Sequence, residues 1–162
     1  MIIPLKAEHW PEVRRIYLEG IATRQATFEQ MAPSWEEWDA SHHTFGRVVA
    51  AEEGRIHGWA ALAPVSRRAV YSGVAEISVY ISADARGRGL GRRLLEHVIA
   101  ESEINGIWTL QAGIFPENIA SLTAHQRCGF REVGYRERIG KMDDTWRNTL
   151  LLERRSQIVG SD

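Results

Sequence analysis

The stretch "VAEISVYISADARGRGLGRRLLEHV", residues 74–98, decides the fold. Its first eight residues form an apolar, alternating run that is typical of a β-strand. A turn with three glycines follows. The chain then predicts an amphipathic helix, because apolar side chains recur at helical spacing at Leu90, Leu94, Leu95, Val98 and Ile99. A strand, a glycine turn and a helix are therefore expected in direct succession.

The turn has the composition of an anion-binding site. Gly87, Gly89 and Gly91 leave the amide N–H groups without side-chain cover, and unpaired amides at a helix N-terminus favour a phosphate. Four arginines would add charge-assisted contacts to phosphate oxygens, namely Arg86, Arg88, Arg92 and Arg93. We therefore expect a pyrophosphate-bearing cofactor. The alternative is a solvated glycine turn before a helix that begins with arginines.

Two other phosphate-binding motifs can be compared with the sequence of this turn. A Walker loop ends in Gly-Lys-Ser/Thr, whereas this turn ends in Gly91-Arg92-Arg93. The dinucleotide fingerprint G-x-G-x-x-G would need a glycine at position 92. Neither motif is matched.

Further elements flank this stretch on both sides. The pattern predicts a strand at 2–5, a helix from 8 to about 20, and a short helix opened by the capping pair Ser34 and Glu37. Two strands surround a turn at 53–54, and a further strand and helix follow the central helix. The last two strands are expected near 130–136 and 148–154. The order β, α, α, β, β, β, α, β, α, β, β predicts a three-layer α/β sandwich around a partly antiparallel sheet.

The composition restricts the class of protein. With 162 residues, 44% hydrophobic and 25% charged, one domain over 1–155 and a flexible tail over 156–162 are expected. The net charge of -1 argues against binding to nucleic acid or to a membrane surface. The single cysteine, Cys128, excludes an internal disulfide and a multi-cysteine metal site. We expect a cytoplasmic protein, because the chain shows no signal segment and no membrane-spanning run.

Two blocks of the sequence resemble one known family. The pattern R-x-x-G-x-G, with Arg86, Gly89 and Gly91, resembles the acetyl-coenzyme A (acetyl-CoA) loop of the GNAT (Gcn5-related N-acetyltransferase) superfamily. The block "PENIASLTAHQRCGF" resembles the family's next conserved segment, with His125 at the usual tyrosine position. The resemblance covers essentially the whole chain. It implies the acyl-CoA N-acyltransferase fold, a three-layer α/β/α sandwich with a mixed, centrally splayed sheet, and acetyl-CoA as co-substrate without a metal.

The resemblance also implies a set of cofactor-binding residues. In the family the fourth and fifth strands splay apart, and the pantetheine arm lies in the gap against exposed main-chain groups of the fourth strand. Such pairing resembles the addition of a strand to an open sheet edge. The expected acetyl-CoA-binding residues are Ser78, Val79, Tyr80, Ile81, Arg86, Gly87, Arg88, Gly89, Leu90, Gly91, Arg92, Asn118 and Ser121.

Glu76 is the candidate general base. The string "VAEISVYI" resembles the phosphinothricin and methionine sulfoximine acetyltransferases, whose matching strand carries a glutamate at this position. Burial among its apolar neighbours Val74, Ile77 and Val79 would make this carboxylate a stronger base. The alternative is an outward-facing residue on an edge strand, paired with an arginine. The Val79 N–H is the expected group that polarises the thioester.

His125 has two interpretations. A histidine with an ordinary pKa of about 6.5 could protonate the departing thiolate. Alternatively, His125 only packs near the coenzyme sulfur.

The acceptor is expected to be a small amino-acid-like amine of the phosphinothricin, methionine sulfoximine or methionine sulfone type. Arg67 and Arg68, in the loop before the Glu76 strand, would bind its anionic end, and Tyr71 would add a hydroxyl contact. Two solvated loop arginines are the alternative. A peptide N-terminus, another amine such as a polyamine, or a non-catalytic acyl-CoA-binding module remain open, and a homodimer is among the expectations.

Overall fold

The stretch that contains Glu76 becomes the fourth of seven strands in the computed structural model, which describes residues 1–162. The seven strands form one sheet in the order β1-β2-β3-β4-β5-β7-β6. The strands are β1 Ile2–Pro4, β2 Val48–Glu52, β3 Arg55–Pro64, β4 Val74–Ile81, β5 Thr109–Ile114, β6 Arg131–Met142 and β7 Thr145–Arg155. The helices are α1 Trp10–Thr23, α2 Trp35–Ser41, α3 Leu90–Ile104 and α4 Ile119–Arg127.

Both faces of the sheet are covered, which gives the predicted three layers. One buried cluster lies under α3 and α4 and contains Leu62, Leu94 and Leu152. A second cluster lies under α1 and α2 and contains Val13, Trp38 and Trp59. Because apolar side chains from both sheet faces are removed from water, two helical layers hold one mixed sheet between them. The predicted fold class and element order are confirmed.

The predicted helix ends are also present. Pro11 lies in the first turn of α1, where its missing N–H leaves no helical bond unmade. Ser34 and Glu37 form the reciprocal capping box of α2, with Glu37 N donating to Ser34 Oγ at 3.2 Å. Asn105 is the C-cap residue of helix α3, and Gly106 follows with a φ of 78°. None of the helices combines the length and the apolar character needed to cross a membrane.

The last two strands are longer than predicted. Instead of ending near residue 136 and starting again near 148, they run to Met142 and from Thr145 as one long hairpin. Asp143 makes the turn with a left-handed φ of 51°, a conformation that aspartate tolerates better than most residues. The pairing shifts register between Arg136 and Gly140. The prediction was wrong because an Asp-Asp pair is a weaker hairpin signal than Asn-Gly or Asp-Gly.

Strands β4 and β5 separate soon after they meet. Their parallel pairing involves only Val74, Ala75 and Glu76, opposite Thr109, Leu110 and Gln111. From Ile77 onward β4 keeps β3 as its only neighbour, while β5 continues beside β7. The sheet is therefore splayed at its centre, as the family resemblance implied.

The segment after β7 is attached to the domain. Ser156 is buried, and its Oγ donates to Glu103 Oε1 at 2.9 Å. The Arg155 guanidinium donates to the carbonyls of Val159 and Gly160. The expected flexible tail over 156–162 is thus hydrogen-bonded to the preceding strand as far as residue 160, which composition alone did not indicate.

Candidate active site

The register of β4 determines which main-chain groups remain free in the gap. Opposed residues in an antiparallel pair alternately direct their N–H and C=O groups toward and away from the partner strand. Ser82 N donates to His57 O at 2.9 Å, so the main-chain groups of Ser82 face β3. Because this direction recurs at every second residue, the main-chain groups of Tyr80 and Ser78 face β3 as well. The main-chain groups that face the gap belong to the alternate residues Ile77, Val79 and Ile81. Of the four residues expected to bind pantetheine, Val79 and Ile81 therefore have main-chain groups available, whereas those of Ser78 and Tyr80 pair with β3.

The glycine turn presents unpaired donors at the start of α3. Gly89 is the N-cap residue of this helix, with a left-handed φ of 74°, and no side chain caps the helix. The first N–H groups of a helix have no intrahelical acceptor, so those at Leu90, Gly91 and Arg92 are open to a ligand. A Cβ atom added at Gly87 or Gly89 would meet nothing within 4 Å, which leaves the backbone accessible from that side. These features fit a diphosphate.

Three of the turn arginines are held by protein groups. Arg86 Nε donates to the Ile81 carbonyl at 3.3 Å, and Arg88 Nη2 donates to the Asp84 carbonyl at 2.8 Å. Both contacts leave other guanidinium donors unused, so the side chains are oriented and still able to bind an anion. Arg92 forms an ion pair with Glu96 at 2.6 Å, which offsets part of its charge. Arg93 lines a separate small cavity of about 110 Å³ beside β1 and β2.

Helix α4 contributes Asn118, Ser121 and His125 to the other side of the gap. Asn118 is the N-cap of this helix, and its Oδ1 accepts from Ser121 N at 3.2 Å. The amide of the same side chain donates to the Gln25 carbonyl at 3.1 Å. Asn118 therefore fixes both the start of α4 and the segment after α1, a structural function that the resemblance did not indicate.

His125 is a neutral ring in a buried position. Its side chain is packed edge-on against Phe130, with ring centroids 5.0 Å apart, and the residue is only 4% exposed. Burial lowers the pKa of His125 below the ordinary value of 6.5. Nδ1 lies 2.7 Å from the Ser121 carbonyl and must carry the proton to donate there, so Nε2 holds a lone pair. Nε2 is buried and has no hydrogen-bond partner.

A cavity of about 430 Å³ lies where β4 and β5 separate. Glu76, Val79 and His125 line it together. Glu76 Oε2 accepts from Gln111 Nε2 at 3.3 Å, on the last pair of residues that joins β4 to β5. The volume lies within the range of small-molecule sites.

The environment of Glu76 differs from the expected one. Side chains alternate between the faces of a strand, so Glu76 points away from the core that buries Ile77, and it is exposed rather than buried. It does not match the alternative either, because its strand is internal and its partner is Gln111 rather than an arginine. The carboxylate is accessible from the cavity.

The segment after α1 forms the opposite wall of the cavity. Phe28 packs edge-on against Phe115, with ring centroids 4.9 Å apart, and lies directly on Gly140 of β6. A Cβ atom at Gly140 would come within 2.7 Å of the Phe28 ring, so only glycine permits this approach. Glu29 lines the same wall. Phe28 thus forms an apolar part of the cavity wall.

The residues expected to bind the acceptor are not brought to this cavity. Arg67, Arg68 and Tyr71 lie in the exposed loop before β4 and do not line it. Arg68 instead lies over the Tyr71 ring, 5.5 Å from its centroid. The cavity arginine is Arg136 of β6. It was missed because the β6–β7 hairpin brings it there from a distant part of the sequence, which no local pattern indicates.

Comparisons with known proteins identify the family of this chain. The model of the acetyltransferase (GNAT) family matches residues 7–130. The chain belongs to the GNAT family, and within it to the phosphinothricin acetyltransferase-like branch. Phosphinothricin N-acetyltransferase from Alcaligenes faecalis is 34% identical over 151 residues, which are 89% of this chain and 76% of that protein.

Two further relatives extend the comparison. The L-methionine sulfoximine/L-methionine sulfone acetyltransferase of Pseudomonas paraeruginosa is 30% identical over 127 residues, 78% of this chain and 69% of that protein. The crystal structure of a phosphinothricin acetyltransferase from Sinorhizobium meliloti in complex with acetyl-CoA superposes with a TM-score of 0.89 at 25% identity. The superposition covers 100% of this chain and 91% of that one.

The protein is an acetyl-CoA-dependent N-acetyltransferase, as the sequence predicted. Acetyl-CoA is its co-substrate, and the free amides of the turn and the open edge of β4 fit that molecule. No cluster of three or more His, Cys, Asp or Glu side chains could hold a metal ion.

Proposed function

We propose that this enzyme acetylates the primary amine of a small amino-acid-like acceptor, of the phosphinothricin, methionine sulfoximine or methionine sulfone type, with Glu76 as general base. One observation carries the proposal. Glu76 lies at the last paired position of β4, exposed to the same cavity that Val79 lines three residues further on. The names of the relatives from Alcaligenes faecalis and Pseudomonas paraeruginosa support this class of acceptor.

The carboxylate performs the first step. An amino-acid amine is mostly an ammonium ion at neutral pH and is not nucleophilic until it loses a proton. Glu76 accepts this proton directly or through one water. Gln111 Nε2 donates to Oε2 at 3.3 Å and holds the carboxylate toward the cavity while the second oxygen remains free. This arrangement suits a base that must receive and release a proton in every turnover.

The thioester supplies the acetyl group and the leaving thiolate. The amine nitrogen forms the new C–N bond as the C–S bond breaks, and the electron pair of the broken bond goes to sulfur. The nitrogen then gives its second proton to solvent, which leaves the neutral amide. The Val79 N–H, which the β4 register directs into the gap, donates a hydrogen bond to the thioester oxygen, where negative charge develops.

The thiolate takes its proton from solvent in this scheme. His125 is unsuited to supply it, because the neutral ring already donates Nδ1–H to the Ser121 carbonyl and has only a lone pair at Nε2. Burial lowers its pKa, so it is uncharged at neutral pH. We therefore assign His125 to packing beside the coenzyme arm rather than to acid catalysis.

The activity is tested by measuring free thiol released from acetyl-CoA with phosphinothricin, methionine sulfoximine, methionine sulfone, a short peptide and a polyamine. We expect turnover with the first three. Glu76→Gln preserves the shape and the Gln111 contact but removes the base, so kcat should fall by roughly 10²–10⁴-fold with little change in acetyl-CoA affinity. Glu53→Gln, in the exposed β2–β3 turn, is the matched control.

Two results would contradict the proposal in different ways. Turnover of the peptide or polyamine without turnover of the amino acids would overturn the acceptor class. Unchanged kcat in Glu76→Gln would overturn the base assignment while leaving the acceptor class intact.

A further inference from the structure

The charged side chains of the cavity have an uneven arrangement. Two carboxylates, Glu29 and Glu76, line it together with one guanidinium, that of Arg136. His125 adds no charge at neutral pH, because burial lowers its pKa. The cavity therefore contains a negative region, which attracts an ammonium group. It also contains one positive group, the Arg136 guanidinium.

Arg136 has no protein partner. Its guanidinium makes no hydrogen bond, ion pair or aromatic contact, unlike that of Arg147 on the neighbouring strand, which is fully engaged. Five arginines lack such contacts, and Arg136 is the one that lines this cavity; the others are Arg14, Arg67, Arg93 and Arg127. A guanidinium at a ligand-sized cavity with all its donors unused is a site for an anion.

The local backbone explains why this side chain reaches the cavity. Arg136 pairs with Thr149 of β7 immediately before the β6–β7 register shifts, and Thr149 lines the cavity as well. Such irregularities in a ladder bend the strand and re-aim a side chain. Arg136 before the shift, Ile139 within it and Gly140 at its end all line the cavity.

We propose that Arg136 binds the carboxylate of the acceptor amino acid and thereby selects amino acids over simple amines. The inference rests on the proposed function. The acceptor places its ammonium near Glu76 and its carboxylate on the Arg136 guanidinium, which can donate two parallel hydrogen bonds. Arg67 and Arg68 do not line the cavity.

Charge balance supports this orientation. A carboxylate that entered a cavity holding only Glu29 and Glu76 would be repelled by both. The unpaired guanidinium offsets this repulsion, whereas an acceptor without a carboxylate gains nothing from it. Recognition of the acceptor is therefore expected to depend on Arg136. The proton transfer at Glu76 is expected to be independent of Arg136.

The test compares methionine sulfone with the primary amine that results from removing its carboxylate. Arg136→Met keeps an apolar stem of similar length, and kcat/KM for methionine sulfone should fall by roughly 10- to 100-fold, the range for a lost charge-assisted pair. The kcat/KM for the amine should stay within about twofold, since it never used the contact. Arg136→Lys should recover part of the loss, because it restores the charge without the planar fork.

Arg138→Met is the matched control, since this side chain lies on the same strand, is exposed and does not line the cavity. Equal losses on both acceptors in Arg136→Met would overturn the inference. A selective loss in Arg67→Met or Arg68→Met, with none in Arg136→Met, would overturn it in favour of the loop before β4. If the wild type turns over amines but no amino acid, both the proposed acceptor class and this inference are wrong. Equal losses in Arg136→Met, or a selective loss in the loop variants, would overturn this inference alone and leave the proposed function intact.

Discussion

Gly89 stands where most helices place a serine, threonine or aspartate. Those residues satisfy the free N–H groups of the first turn with their own side chains. Gly89 provides no such cap, and its φ of 74° turns the chain so that the first amides of α3 face outward. The missing cap therefore leaves helix donors available to the diphosphate of acetyl-CoA.

The role of Gly89 can be tested with an alanine substitution, and Gly54 provides the matched control. In Gly89→Ala the new methyl group projects into the open space beside the turn and would crowd a diphosphate there, so the Kd for acetyl-CoA should rise by about tenfold or more, measured by calorimetry. The left-handed conformation should also cost about 1–2 kcal/mol of stability. Gly54→Ala has nearly the same φ, 77°, and equally open space, but lies in the β2–β3 turn. It should lose similar stability and keep its affinity; equal affinity losses in both would contradict the prediction.

The β6–β7 hairpin holds the segment after α1 against the cavity. Arg147 of β7 donates to the Arg24 carbonyl at 2.9 Å and to Gln25 Oε1 at 3.0 Å. Its guanidinium lies 4.2 Å from the Phe115 ring centroid, and Arg24 forms an ion pair with Asp143 at the hairpin turn. These contacts fix residues 24–25 and, through them, the wall formed by Phe28 and Glu29.

We expect Arg147→Met to loosen this wall. The largely buried guanidinium would be lost, and with it at least two hydrogen bonds, so unfolding free energy should fall by about 1–3 kcal/mol. The KM for the acceptor should rise more than kcat falls, because the segment shapes the acceptor side, while the Kd for acetyl-CoA stays unchanged. Arg131→Met removes an exposed ion pair with Glu153 on the same hairpin and should alter neither. A loss of kcat alone would argue against a positioning role.

The elements also show what the sequence can and cannot predict. Local signals located β4, the glycine turn, the α2 capping box and the end of α3, because each depends on residues close in the chain. The residues that face one another across the cavity depend on strand register and on the long hairpin. Glu76 was found through its resemblance, whereas Arg136 and Phe28 carry no local signal of their place.

Three histidines in different parts of the molecule are held in positions that disfavour their charge. Burial lowers the pKa values of His42, His43 and His125 below 6.5. His42 stacks on Trp38 with ring centroids 4.1 Å apart, and His43 stacks on Phe45, so both lie among aromatic side chains near α2. His125 lies on the other side of the sheet, in α4. Both helical layers therefore contain imidazoles that fold in the neutral form.

Stability should consequently fall as the pH drops below about 6.5. In that range the unfolded chain takes up protons that these histidines cannot take up in the folded chain. The contribution is absent above pH 6.5, where both states are neutral, and it grows as the pH falls toward the lowered pKa values. For His125 alone the slope can reach about 1.4 kcal/mol per pH unit. A second decline in stability is expected below pH 4.5, where Glu103 takes up a proton more readily in the unfolded chain than in the folded one. Burial acts to raise the pKa of Glu103, but hydrogen bonds from Arg154 and Ser156 hold it below its ordinary value.

Urea unfolding followed by tryptophan fluorescence at several pH values between 5 and 8 checks the first decline. His125→Gln removes one buried titrating ring, so the slope of its unfolding free energy below pH 6.5 should be smaller than that of the wild type, whatever its stability at pH 8. Gln126→Ala, at the exposed neighbouring position of α4, removes no titrating group and should keep the wild-type slope. Direct titration of the ring protons by NMR provides the second readout, because a His125 ring that takes up its proton above pH 6.5 would reverse the sign of the expected effect. Such a result would also return His125 to the role of proton donor, since a charged ring carries a proton on Nε2.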